Sequence, residues 1–157
     1  MPVVHEGDFA PPAGRFALVA ARFNGPIVDD LVTGALDGLR RHGVAEDAID
    51  LVRVPGSFEI PLVAQRLALS KRYAAVITLG AVIRGETDHY DHVASQTAAG
   101  VARAALESGV PVLFGILTTD TLEQAINRAG AKSGNKGFEA ALAAVEMVNL
   151  LAKLDRL

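Results

Sequence analysis

The chain contains no cysteine. It therefore forms no disulfide, no thiolate metal site and no cysteine nucleophile, a composition compatible with a reducing compartment. It also lacks a basic surplus: 15 Lys and Arg stand against 18 Asp and Glu, a formal net charge of -3. No Lys/Arg run is interleaved with aromatics, so nucleic acid is not an expected partner. No uninterrupted apolar run approaches the roughly 20 residues of a membrane span, and no membrane partner is expected. The first residues place Pro2, Pro11 and Pro12 among acidic side chains and lack the basic and apolar regions of a signal peptide, so a cytoplasmic protein is expected. Neither G-x-x-x-x-G-K-[ST] nor G-x-G-x-x-G occurs, which leaves nucleoside triphosphates and dinucleotides without their usual cradle.

What is present is enough apolar sequence for one substantial core: 157 residues, 50% hydrophobic and 21% charged. Residues 1–14, rich in proline, are expected to run as an extended N-terminal arm. Residues 15–157 are expected to form a single α/β domain.

Arg15 to Ala21 is almost wholly apolar, as a central parallel strand covered on both faces must be. It ends in Arg22-Phe23-Asn24-Gly25-Pro26, a turn leading into a helix from Ile27 to His42 that Gly43 stops. Ala48 to Val54 alternates in polarity like a strand nearer the sheet edge. Pro55-Gly56-Ser57 turns the chain, with Ser57 as the expected N-cap of a helix over Phe58 to Lys71. A strand over Ala74 to Ile83 and a helix from Asp88 to Ser108, ending at Gly109, follow. The last strand spans Pro111 to Leu117, a short helix about Leu122 to Ala129, and a long helix Phe138 to Leu154, after a loop from Gly130 to Gly137. Strand and helix alternate four times, which predicts a doubly wound, four-stranded parallel sheet with helices on both faces.

In such a sheet ligands bind beyond the carboxyl ends of the strands. Three strand ends then share one edge: Arg22-Phe23-Asn24, Pro55-Gly56-Ser57-Phe58-Glu59, and Gly80 through Tyr90. Phe23 and Phe58 offer rings to a flat heteroaromatic ligand with polar edges, beside Glu59, Glu86 and His89; the plainer alternative is that both rings cap the core. Histidine exchanges protons near neutral pH, which suits His89 to general acid/base work, though a hydrogen-bonded surface histidine is the bland reading. His89 and His92 stand three apart beside carboxylates, but no third histidine has a clear claim, so no metal site is expected. Gly85-Glu86-Thr87 can present N–H groups and a hydroxyl to an anion at a helix N-terminus, and a small phosphate ester fits that better than a nucleotide. Arg128, Lys132 and Lys136 could complete the anion site or simply be a solvated charged face.

From about Phe16 to Leu151 the chain resembles the lumazine synthase family of riboflavin biosynthesis. The resemblance rests on Arg22-Phe23-Asn24, Val54-Pro55-Gly56-Ser57-Phe58-Glu59-Ile60-Pro61, Leu79 through Asp91, Gly115-Ile116-Leu117-Thr118, Arg128-Ala129-Gly130 and Asn135-Lys136-Gly137. Together, in this order and spacing, these are highly specific. It implies a flavodoxin-like sandwich that condenses 5-amino-6-(D-ribitylamino)uracil with 3,4-dihydroxy-2-butanone 4-phosphate, releasing phosphate and water without metal or organic cofactor. It further implies that Phe23 stacks on the pyrimidine, that Ser57, Phe58 and Glu59 hold ring and ribityl chain, and that Ala81, Val82 and Ile83 meet the pyrimidine edge. Glu86 and Thr87, with Arg128, would bind phosphate; Lys136 is a weaker candidate. His89 would shuttle protons and Phe114 would close the aromatic pocket.

The family assembles as pentamers, some stacked into hollow shells, with sites shared between neighbours; Phe114 and Arg128 would then come from the adjacent chain, and Pro2 to His5 could add to a neighbour's sheet. The compact 130–137 loop resembles that of shell-forming members. The chain departs from the family pattern at Asp88 and Ser133, neither of which touches an assigned role. Two other classes of function compete: a non-catalytic lumazine- or flavin-binding or shell protein of the same fold, and a flavodoxin-like signalling domain. Intact His89 and Arg128 favour the enzyme over the first, and binding of ribityl-pyrimidines would separate it from the second.

Overall fold

Phe16–Ala21 is buried at every position and forms β1, the strand that the rest of the sheet is built around. The computed structural model describes all of residues 1–157. β1 pairs with β2 (Ile49–Val54) on one side and β3 (Ala75–Ile83) on the other, and β3 pairs with β4 (Val112–Thr119). All pairings are parallel, in the order β2-β1-β3-β4. The chain is thus an α/β protein of the flavodoxin-like kind, and β2 lies at the edge that its alternating sequence predicts.

Because successive strand side chains point to opposite faces, β1 feeds two cores at once. Phe16, Leu18 and Ala20, with Ile77 and Leu79 of β3, pack against α1 (Gly25–Arg41) and α5 (Lys136–Leu154) through Leu31, Ala35, Ala141 and Ala144. Ala17, Val19 and Ala21 face α2 (Ile60–Leu69) and α3 (His89–Ser108) through Ile60, Ala64 and Val101. Leu31 has no accessible surface, so truncating it to alanine is expected to cost about 2–5 kcal/mol. The remaining helix, α4 (Leu122–Arg128), starts from a capping box: Thr121 Oγ1 accepts from the Gln124 N–H at 3.1 Å, and the Gln124 side chain accepts from the Thr121 N–H at 3.2 Å. No helix is long and apolar enough to cross a membrane.

Three local expectations are corrected. Ser57 does not cap α2; it opens a 3-10 turn over Ser57–Glu59, is itself buried, and makes no capping hydrogen bond. β4 runs to Thr119 rather than Leu117, because Thr118 and Thr119 continue the ladder opposite Val82 and Ile83. α5 begins at Lys136 rather than Phe138: Asn135 Oδ1 accepts the Phe138 N–H at 3.0 Å, which places Lys136 and Gly137 in the first turn. Gly137 is tightly placed there, since a Cβ would come within 2.0 Å of the Leu31 carbonyl oxygen. Only glycine lets α5 lie that close to α1.

The N-terminal arm has no strand partner within the chain, and part of it lies along α5. The Asn149 amide donates to the carbonyl oxygens of Asp8 and Ala10, both at 2.9 Å. Lys153 Nζ reaches the Asp8 carboxylate at 2.9 Å and the Glu6 carbonyl at 3.0 Å. Phe9 tilts against the His42 ring, with centroids 5.7 Å apart, while Met1 to His5 are exposed.

Candidate functional site

The helix after β1 lies on one face of the sheet and the helix after β3 on the other, so the loops leaving these adjacent strands diverge. A crevice must open between them, the place where parallel α/β sheets take ligands. One side-chain hydrogen bond bridges it: Asn24 Nδ2 donates to the Ala81 carbonyl at 2.8 Å. Asn24 occupies the left-handed region, with φ 59° and ψ 42°, a conformation asparagine tolerates better than most residues.

The crevice is a cleft of about 830 Å³. The loop after β1 supplies Phe23 and Asn24 to its wall; the turn after β2 supplies Pro55 to Glu59; the end of β3 supplies Ala81, Val82 and Ile83. His89, Tyr90, His92 and Val93 close it from the first turns of α3. Phe23 is 72% exposed and Phe58 57%, which removes the alternative that these rings cap the core. They are wall, not filling. Ala81 and Val82 are buried, so what they offer a ligand is chiefly backbone.

Gly80 sets how deeply this wall sits. A Cβ there would meet Ser57 Oγ at 2.5 Å, so the absence of a side chain in β3 lets the buried Ser57 of the turn after β2 close onto the strand. The turn is held from the other side by Thr97 Oγ1, which donates to the Ser57 carbonyl at 3.3 Å. Neither Gly80 nor Thr97 carries a recognisable chemical role in the sequence.

A second cleft, of about 540 Å³, lies along β4. Phe114, Ile116 and Thr118 alternate along the strand as part of its wall, and α4 with the start of α5 adds Gln124, Arg128 and Lys136. Tyr90 lines both clefts. Of the twelve sequence-predicted residues, eight, Phe23, Ser57, Phe58, Glu59, Ala81, Val82, Ile83 and His89, share the first cleft, whereas Phe114 and Arg128 line the second. Glu86 and Thr87 line neither and stand in the exposed loop leading into α3, where Thr87 Oγ1 accepts the His89 N–H at 3.3 Å.

Arg84, in the same loop, is held by three neighbouring side chains. Its Nε donates to Asp120 Oδ1 at 2.9 Å, its Nη1 reaches Asp91 Oδ1 at 3.5 Å, and its Cζ lies 4.4 Å from the Tyr90 ring centroid. The Asp120 hydrogen bond, with the nearby carboxylates, raises its pKa above the ordinary guanidinium value. Sequence reasoning set Asn24 and Tyr90 on the shared edge without giving them a role, weighed His92 only as a metal ligand, and did not single out Val93 or Asp120. Helical spacing from His89 brings His92 and Val93 round to the same face, whereas nothing in the sequence announces the Asn24 and Arg84 contacts.

An open aromatic cleft, a histidine at its rim and a cationic second cleft on the same chain suit binding of a planar ring and a small anion. Residues 13–152 match the model of a known family, described as 6,7-dimethyl-8-ribityllumazine synthase.

Proposed function

Since the chain belongs to the 6,7-dimethyl-8-ribityllumazine synthase family, transferases of riboflavin biosynthesis, we propose that it condenses 5-amino-6-(D-ribitylamino)uracil with 3,4-dihydroxy-2-butanone 4-phosphate, releasing phosphate and water. The observation that carries this reading is the first cleft, where two exposed aromatic rings, Glu59, a strand-end backbone and His89 line one space.

In this reading Phe23 stacks on the pyrimidine and the backbone of Ala81, Val82 and Ile83 meets its polar edge. Ser57, Phe58 and Glu59 hold the ring and the ribityl hydroxyls. His89 carries protons as the amine adds to the ketone, as water leaves, and as phosphate is eliminated. Arg128, with Glu86 and Thr87, receives the phosphate: the guanidinium fork matches phosphate oxygens, while the loop before α3 contributes N–H groups. Phe114 completes the aromatic wall. The amine and the ketone are reactive partners already, so holding them together accounts for much of the acceleration, and the reaction as written draws on no metal or organic cofactor.

Phe114 and Arg128 line a cleft other than the one holding Phe23 and His89, which supports a site completed between neighbouring copies of the chain. The matching assembly is a homo-oligomer, a pentamer or a shell of pentamers, working in the cytoplasm. Each copy would contribute the single domain 15–157, preceded by the arm 1–14.

The test is direct. Purified protein mixed with both substrates is expected to generate lumazine fluorescence with release of phosphate. No product above the uncatalysed rate sinks the synthase reading; binding of lumazine without turnover would favour a carrier of the same fold.

A further inference from the structure

Arg84 is the one cation of the loop leaving β3, and the obvious role for it is to meet the substrate's phosphate. Its contacts argue otherwise. Asp120 and Asp91 supply two carboxylates to one guanidinium, and the Tyr90 ring covers its face. A cation so compensated has little attraction left for a further anion. Its backbone is anchored as well: the Arg84 N–H donates to the Thr119 carbonyl at 2.9 Å, one step beyond the last paired residues of β3 and β4.

The partners lie on separate elements. Tyr90 and Asp91 belong to the first turn of α3, which begins with His89, and Asp120 belongs to the turn between β4 and α4. A single side chain therefore joins the helix start that carries His89 to the turn that leads into the helix carrying Arg128. The ring that it orients, Tyr90, lines both clefts.

The carboxylates are 61% and 67% exposed and the Arg84 side chain 46%, so these pairs contribute little to global stability. Orientation is the larger effect. One ordered guanidinium fixes three groups that would otherwise sample several rotamers.

We propose that Arg84 is a positioning residue: its grip on Asp91, Asp120 and the Tyr90 face holds the first turn of α3, and with it His89, in register with the β4–α4 turn. This rests on the synthase reading above for its kinetic consequence, and on the geometry alone for the tie itself.

Both are tested with the full-length Arg84→Ala and Arg84→Lys variants. Arg84→Ala is expected to lower kcat roughly tenfold, as misplacement of a proton-transfer group does, with the KM for the ribitylaminouracil near that of the parent and the melting temperature little changed. Arg84→Lys keeps the charge but loses the fork and the flat face, and is expected to recover only part of kcat. Amide hydrogen exchange over residues 85–91 is expected to quicken severalfold in Arg84→Ala. Parental exchange in that segment overturns the tie, and parental kcat with quickened exchange overturns the positioning role. A lowered melting temperature with an unchanged kcat per folded protein assigns Arg84 to stability alone and also overturns it. If the parent itself makes no lumazine, the synthase reading fails while the exchange measurement still decides whether Arg84 holds the turn.

Discussion

The Asn24 amide and the Ala81 carbonyl meet at 2.8 Å, joining the loop after β1 to the end of β3 in the lining of the first cleft. Because Asn24 is also left-handed, the residue answers two demands at once. Asn24→Gly keeps the backbone conformation and loses only the bond, a loss of about 1 kcal/mol. Asn24→Ala adds the left-handed penalty and is expected to lose about 2 kcal/mol or more. Urea midpoints at constant m-value measure the order; a glycine variant no more stable than the alanine variant would show that φ is not the constraint.

Gly80→Ala tests how the cleft wall is seated. The new methyl meets Ser57 Oγ at 2.5 Å and Ile60 Cδ1 at 3.3 Å, and both residues are buried. The turn carrying Phe58 and Glu59 must move away, at an overpacking cost of about 1–3 kcal/mol. Weaker binding of the ribitylaminouracil, read by calorimetry, is expected together with a lower melting temperature. Parental affinity would place the ligand away from this turn.

The architecture was legible because hydrophobic pattern reports burial directly. Phe16 to Ala21 reads as a doubly covered strand and is one, and the alternation in Ala48 to Val54 marks an edge strand. What the pattern does not report is which polar residue serves which neighbour. Thr118 and Thr119 lie beyond the strand end expected at Leu117 but extend β4, since their partners Val82 and Ile83 are remote in sequence. Ser57 has the chemistry of a cap, yet the space left by Gly80 draws it into the wall. Among the candidate site residues, exposure was the missing quantity: Phe23 and Phe58 are indistinguishable from core aromatics until the fold leaves them uncovered. Arg84 shows the converse, a residue with the charge of a phosphate ligand whose charge is already compensated.

The arm along α5 is expected to respond to acid. The hydrogen bond from Lys153, aided by that from the Ala10 N–H, holds the Asp8 carboxyl below the ordinary carboxylate range. A pKa lowered on folding contributes stability that is complete above the unfolded value, near 3.9, and is lost as pH falls through the folded value. Docking of Glu6 to Ala10 should therefore hold at neutral pH and weaken only below about pH 4. Amide exchange of residues 6–10 between pH 3 and 6 measures this, and Asp8→Asn should flatten the dependence. A release centred near neutrality would assign the control to another group.

Single substitutions should separate the two halves of the proposed site. His89→Ala is expected to slow turnover about tenfold or more, since positioning remains when the proton carrier is removed. Arg128→Ala is expected to raise the KM for the phosphorylated ketone with less change toward the ribitylaminouracil. Unchanged kinetics in either variant remove that residue from the site.

The two substitutions together test whether each site is shared. His89 lines one cleft of the chain and Arg128 the other, so in a shared site they come from different copies. Suppose His89→Ala and Arg128→Ala chains are unfolded, mixed in equal amounts and reassembled. A site is then intact wherever the first cleft comes from an Arg128→Ala chain and the second from a His89→Ala chain. Random pairing of two independent halves makes that about a quarter of all sites, so the mixture should exceed the mean of the two separately reassembled variants. If instead both clefts served one site within one chain, every chain would carry one lesion, and mixing could add nothing. Activity equal to that mean, in a mixture shown by mass spectrometry to contain mixed oligomers, would return the site to a single chain.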